Sequence, residues 1–347
     1  MSRNAVAVVS SLMFAVLAVL LVLIPVPYVA WRPGQTIDVL EQRDDRGTIE
    51  VSGVPTFPTT GRLLMTTVST TRVDATLSLP EAIFVYLGAD YDAMPREVIY
   101  PAGKTSDQVQ NEAVAMMDTS RNNATVAALR AAGVPVEEWP RISSVLLSGP
   151  SVNVLQPGDL ILAVDGISTS NRDAVAAQIA THQVGDSIVF EVDRSGQRLT
   201  VSVIARAGSS DARRPSIGVS IDTGYLFEPT VTFGVDPSVT GPSAGLIFAL
   251  GIYDQVTDGQ LIGDKTVAGT GTISAAGRVG TIGAIRQKIK GAERDGASYF
   301  LVPEGNCDNV GDLEVAIPLI KVGTLNDAIS ALQLINEGNI AEVPTCG

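Results

Sequence analysis

The longest uninterrupted apolar run opens the chain: no charged residue stands between Ala5 and Ile24, and the uncharged stretch continues to Ala30. Twenty apolar residues at about 1.5 Å rise each match a hydrocarbon core of about 30 Å, so the run predicts a membrane-spanning helix. A cleaved signal is the alternative. It would have a shorter apolar region and small residues at the cut, and Tyr28 is a poor fit three positions before a cut after Ala30. Under the positive-inside rule Arg3 keeps residues 1–4 in the cytoplasm and the chain after the helix outside it.

Beyond the anchor the pattern breaks into short elements. Residues 31–58 mix proline, glycine and charge, with Trp31 placed for the membrane interface. Gly61 to Val73 alternates and is rich in β-branched residues, which predicts a strand. Leu77 to Leu87 reads as a helix with Pro80 in its first turn, and Ser106–Met117 and Asn123–Ala132 read as two more, the second stopped by Gly133. From Val134 short strands alternate with turns: Ile142–Leu147, the segment Leu155–Gly166, then Ser187–Asp193 and Gln197–Ile204 across a turn at Arg194-Ser195-Gly196. A helix over Arg172–Thr181 interrupts them. Ala205 to Pro215 is small and polar, a linker by composition. Val231, Phe233 and Val235 then alternate into Gly241-Pro242-Ser243-Ala244-Gly245, and a helix starts at Leu246. Glycines 269, 271, 277, 280 and 283 mark a strand and turns before a last helix near Ala284.

Strand, tight turn, helix is a context that lifts a serine to a helix N-terminus, where unpaired amides and the dipole favour developing negative charge. Composition decides what could activate Ser243. The chain has 347 residues and one histidine, His182, which precedes the serine. A G-x-S-x-G elbow of the hydrolase kind needs a histidine after it. A lysine whose pKa is lowered by an apolar site could serve instead. Lys265, Lys288, Lys290 and Lys321 follow Ser243. Ile285, Ile289 and Ala292 share one helical face; Lys288 falls beside it, whereas Lys290 lies about 200° away from Lys288. Periodicity alone leaves two readings of Lys288 open: a desolvated base, or a surface lysine whose stem covers the stripe.

Other chemistry is excluded or bounded. A net charge of −13 and no basic patch argue against nucleic-acid binding. Around Lys265, Asp264 intrudes between Gly263 and the lysine, so no phosphate loop forms and no nucleotide is expected. No C-x-x-C or histidine cluster marks a metal site, and no cofactor is expected. Cys307 and Cys346 are an even pair outside the membrane, which predicts a disulfide; two unconnected buried cysteines are the alternative.

Two resemblances organise these elements into an α+β chain. LQPGDLILAVDG, Leu155–Gly166, with the helix and two strands after it resembles a PDZ domain over 134–205. Such domains add an extended peptide to a sheet edge. The carboxylate-holding loop is expected before Ile142, where VPVEEWPR stands and Glu137 and Glu138 would repel a carboxylate. GPSAG at 241–245, VAGTGTISAAGRVGTIGAIRQK at 267–288 and LVPEGN at 301–306 together resemble the proteolytic domain of Lon proteases, placed over 206–345. That resemblance implies Ser243 as nucleophile, Lys288 as general base, Thr270 as a holder of the amine, and Gly241, Ala244 and Gly245 as turn and oxyanion residues. Thr240 departs from the acidic residue often found there. Segment 59–133 also looks like the start of the Lon fold, which would make the PDZ domain an insertion.

The combination resembles membrane-anchored, ATP-independent Lon-like serine proteases. It implies a single-pass protein that cleaves extracytoplasmic polypeptides, with a peptide ligand or regulator for the PDZ domain and a homo-oligomeric ring. The competing reading is a catalytically silent PDZ receptor on a protease-like scaffold.

Overall fold

On strand β2 (Arg62–Thr70) Leu63 and Met65 face one side of a sheet and Leu64 the other, and all three are fully buried. The same division recurs on β9 (Thr266–Gly269), with Val267 and Ala268, and on β10 (Tyr299–Pro303), with Leu301 opposite Phe300 and Val302. Strands buried on both faces suit parallel pairing. In this computed structural model β2, β9, β10 and β11 (Leu319–Val322) run parallel, and β1 (Tyr28–Asp38) and β3 (Asp92–Pro95) complete the sheet antiparallel, in the order β11-β10-β9-β2-β1-β3. The structure describes residues 3–43, 46–72, 75–88, 90–209 and 211–346. Met1 and Ser2 of the expected tail and Val73 of the expected strand lie outside these.

The protein is α+β and divides into two compact units, Met1–Val134 with Pro229–Gly347, and Pro135–Glu228. In the first, α1 (Arg3–Leu23) contains a span, Asn4–Leu23, of mean hydropathy 2.9 that is long and apolar enough to cross a membrane. Helices α3 (Ser106–Ala131), α5 (Gly245–Val256) and α7 (Leu325–Asn336) share the Leu63 and Met65 core. Helix α6 (Ile285–Arg294) covers the opposite face, with Ile285, Ile289 and Ala292 against Leu64, Ala268 and Phe300.

The two helices expected between Ser106 and Ala132 are one. Asp118, Thr119, Ser120, Arg121 and Asn122 read as a break because such side chains compete with the backbone. Here the tertiary structure uses them: Ser120 is buried and donates to Pro242 O at 2.9 Å, and Asn123 Nδ2 donates to Ile273 O at 3.1 Å. Thr105 caps the helix, accepting from Gln108 N.

The second unit is an antiparallel sheet in the order β7-β6-β5-β4-β8: β7 (Gln197–Ile204), β6 (Ser187–Arg194), β5 (Leu160–Val164), β4 (Glu137–Val145) and β8 (Val219–Leu226). Helix α4 (Arg172–Ala180) buries Val175 and Ile179 against it. This unit extends past the boundary expected at 205. Residues 219–226 pair with β4, from Val219 against Val145 to Leu226 against Glu137, so they belong with this sheet. Glu137 and Glu138 consequently sit on a paired strand rather than in a loop.

Candidate active site

Gly241 makes the turn before Ser243 with φ 92°, a conformation that L side chains rarely adopt, and its N–H donates to Ala113 O of α3. Pro242, Ser243 and Ala244 form one 3-10 turn that runs into α5. Gly245 is needed for close approach: a Cβ there would lie 2.7 Å from Ser120 Oγ and 2.9 Å from Ile273 Cγ2. Behind the serine, Ser243 O accepts from Gly271 N at 2.8 Å and from Thr270 Oγ1 at 3.0 Å. The turn is therefore held on one side by α3 and on the other by the loop after β9.

Lys288, on the first turn and a half of α6, reaches the same point. Its Nζ lies 2.7 Å from Ser243 Oγ and 2.9 Å from Thr270 Oγ1. The lysine is 3% exposed, and desolvation lowers its pKa from 10.5 to about 7. No carboxylate pairs with it among the described residues. The other lysines after Ser243 all have one: Lys265 pairs with Asp264, Lys290 with Glu293 and Lys321 with Glu304. That difference matters, because a carboxylate would stabilise the charged amine and hold its pKa up. The stripe-covering surface lysine is thus not what the structure shows at position 288.

Of the three expected oxyanion residues, two have their amides engaged. Gly241 N–H donates to Ala113 O and Gly245 N–H to Pro242 O. Both serve the turn. A cleft of about 460 Å³ opens over the serine, lined by Ile37, Thr66, Val68, Met117, Thr240 and Lys288 among others. Thr66 and Val68 come from β2 beyond the point where β9 stops pairing with it at Met65.

Two residues near the site received no role from the sequence. Asn306 is buried and holds Ile282, just before α6, by two hydrogen bonds. Ser120 supports Pro242 from α3. Asn306 stood inside LVPEGN, but its partner is 24 residues earlier in the chain. Cys307 and Cys346 form a disulfide. Among the described residues no group of three or more His, Cys, Asp or Glu is placed to hold a metal ion.

In the second unit His182 Nε2 lies 3.1 Å from Asp165 Oδ2. It lines a groove of about 770 Å³ between α4 and the open edge of β8, with Arg172, Arg213, Arg214, Ile217 and Gly218. Gly218, with φ 70°, turns the chain ahead of β8 at this groove. Arg213 and Arg214 there both lie within ion-pair distance of Asp211, and Glu137 and Glu138, on β4, are not among the residues that line it.

Residues 231–329 match the family of the Lon protease (S16) C-terminal proteolytic domain, and residues 118–204 match the PDZ domain family. Lon protease 2 of Herpetosiphon aurantiacus is 40% identical over 162 residues, 45% of this chain and 17% of the relative. The Lon protease of Endomicrobium trichonymphae is 25% identical over 188 residues, 50% of this chain and 22% of that one. Among solved structures, the PDZ domain of an SdrC-like protein from Listeria monocytogenes is 21% identical, covering 24% of this chain and 86% of that chain, with a TM-score of 0.22. The chain spans between 11% and 22% of the length of the curated Lon relatives it matches. Ser243, Thr270 and Lys288 all fall inside the first match, and the chain carries a Lon-type S16 proteolytic domain together with a PDZ domain.

Proposed function

We propose that this protein is a membrane-tethered serine endopeptidase in which Ser243 is the nucleophile and Lys288 the general base. The observation that carries the reading is the 2.7 Å approach of a buried, carboxylate-free Nζ to Ser243 Oγ. Near neutral pH a large share of Lys288 is uncharged, and its lone pair accepts the Ser243 proton as Oγ attacks a peptide carbonyl. The N-terminal end of α5, where Ser243 sits, favours the developing oxyanion. Collapse breaks the C–N bond, Lys288 returns the proton to the leaving amine, and an acyl-serine remains. Water then attacks the ester with Lys288 again taking a proton. Thr270 Oγ1 holds the amine throughout.

The rest of the architecture supports a tethered enzyme. Helix α1 anchors it, with both units on the extracytoplasmic side and extended polypeptides as substrates. The segments before and after the 135–228 unit build one proteolytic fold, into which the PDZ domain is inserted. Neither the serine–lysine step nor the cleft calls on a nucleotide. A peptide end lies along β8 in the groove, its carboxylate facing Arg213, Arg214 and the Gly218 turn.

Full-length protein in detergent, incubated with an unfolded polypeptide without ATP, tests this by mass spectrometry of the products. Wild type should cleave, and Ser243→Ala and Lys288→Ala should not while keeping the same circular dichroism. Retained cleavage in either folded variant overturns the assignment.

A further inference from the structure

We infer that α2 (Leu79–Leu87) lies in the membrane–water interface, with Pro80, Ile83, Phe84, Tyr86 and Leu87 set among lipid. This rests on α1 being the anchor. The helix has two sharply different sides. Ala82 and Val85 face inward, buried with Ala30 and Leu77. On the other side Phe84 is 67% and Leu87 75% exposed, with Ile83 and Tyr86 exposed beside them. At about 100° per residue Pro80, Ile83, Phe84, Tyr86 and Leu87 fill one continuous arc of about 160°. No charge interrupts that arc. Glu81 projects away from it and is held by Ser78, whose N–H and Oγ both donate to its carboxylate.

An outward face that is wholly apolar needs a partner, and its position names one. Helix α1 ends at Leu23, and the next two paired residues, Pro25 and Val26, bridge to Ser78 and Leu77. Leu79, the first residue of α2, follows at once. Cα atoms of α1 and α2 approach within 8 Å. The short helix is therefore fixed where the chain leaves the hydrocarbon, and among the described residues its apolar side meets only the Tyr91 ring, 6.0 Å from that of Phe84, and stays largely exposed. Tyr28 and Tyr86, both exposed, add the aromatic side chains that favour the headgroup level. Glu81, in the first turn of the helix, has Arg32 as a neighbouring opposite charge, so the attraction comes from apolar area more than from anionic headgroups. Such a second contact stops the protease unit from swinging freely on its anchor and fixes how its surface stands over the bilayer.

Both native cysteines are in the disulfide, so one introduced thiol can be labelled selectively. Full-length Phe84→Cys, Leu12→Cys and Gln197→Cys proteins, each carrying an environment-sensitive fluorophore, are reconstituted in phosphatidylcholine vesicles. Lipids spin-labelled at shallow or deep acyl positions and aqueous iodide serve as quenchers. The label at 84 should be quenched by the shallow lipid label and shielded from iodide at any salt concentration. The label at 12 should be quenched by the deep one, and that at 197 by iodide alone. Ile83→Cys and Leu87→Cys should repeat the pattern of 84. If position 84 behaves as 197 does while 12 is lipid-quenched, the anchor stands and the inference falls. Shielding from iodide without lipid quenching at 84 puts a second copy or another protein on the face and also overturns it. Loss of lipid quenching at both 12 and 84 removes the anchor reading itself, and this inference with it.

Discussion

The carboxamide of Asn306 holds the main chain of Ile282 from both sides: Oδ1 accepts its N–H at 2.9 Å and Nδ2 donates to its carbonyl at 3.0 Å. Ile282 lies just ahead of Ala284, whose φ of 57° turns the chain into α6. The clamp thus sets where α6 begins and where Lys288 arrives. Asn306→Leu leaves both Ile282 groups without their partner in a partly buried place, at up to about 1–3 kcal/mol for each. We expect kcat to fall at least about tenfold with KM little changed. As α6 loosens and water reaches Lys288, the rising limb of the pH–rate profile should move upward. Asn306→Asp keeps the acceptor and should recover part of the rate. A profile unchanged in Asn306→Leu would make the clamp merely structural.

Protonation of Lys288 should set the acid limb of activity. With a folded pKa of about 7, caused by burial, the neutral base increases through neutrality. From pH 6 to pH 8 its share rises about tenfold, from roughly a tenth to roughly nine-tenths. Stopped assays of kcat/KM over pH 5.5–9 should show that rise with a single apparent pKa near 7. A flat profile, or one rising only above pH 10, contradicts a neutral lysine base.

Ser243, Thr270 and Lys288 could be named in the sequence because their segments resemble the Lon proteolytic domain, periodicity alone leaving Lys288 open, and the structure brings the three within hydrogen-bond distance. What surrounds them was hidden because it depends on contacts between distant parts of the chain. Ser120 fell in the expected helix break and Asn123 at the expected start of the next helix; their partners, Pro242 and Ile273, lie 122 and 150 residues on. Residues 219–226 fell within the expected proteolytic domain, 206–345. Their apolar positions are equally compatible with either unit, and only the pairing with Glu137–Val145 assigns them. Local pattern cannot carry that information.

Thr270 is a positioning residue with two duties: its Oγ1 accepts from Lys288 Nζ and donates to Ser243 O. Thr270→Val keeps the shape and removes both. The charged amine loses an acceptor in a buried site, so its pKa should fall further and the acid limb should move below pH 7. We expect kcat to drop about tenfold, KM to stay close to wild type, and Thr270→Ser to restore both the rate and the limb. A lower rate with an unmoved limb would show that Thr270 supports the serine turn and not the amine.

Stability should carry the same signature with a definite sign. Lys288 has a folded pKa of about 7 against an ordinary 10.5. Below pH 7 both folded and unfolded states hold the proton, and the folded state bears the full cost of the buried charge. Between 7 and 10.5 the unfolded chain binds more protons, so this residue's contribution to stability rises with pH. Lys288→Met keeps the bulk without the charge. It should be more stable than wild type at pH 6 by about 2–4 kcal/mol, and the advantage should shrink steadily by pH 9. Urea unfolding of both full-length proteins in detergent at the two pH values measures the difference, in which the titration of every other group cancels. An advantage that stays constant from pH 6 to pH 9 would mean that Lys288 keeps its proton in the folded protein, and a lysine that does so at pH 9 cannot accept one from Ser243.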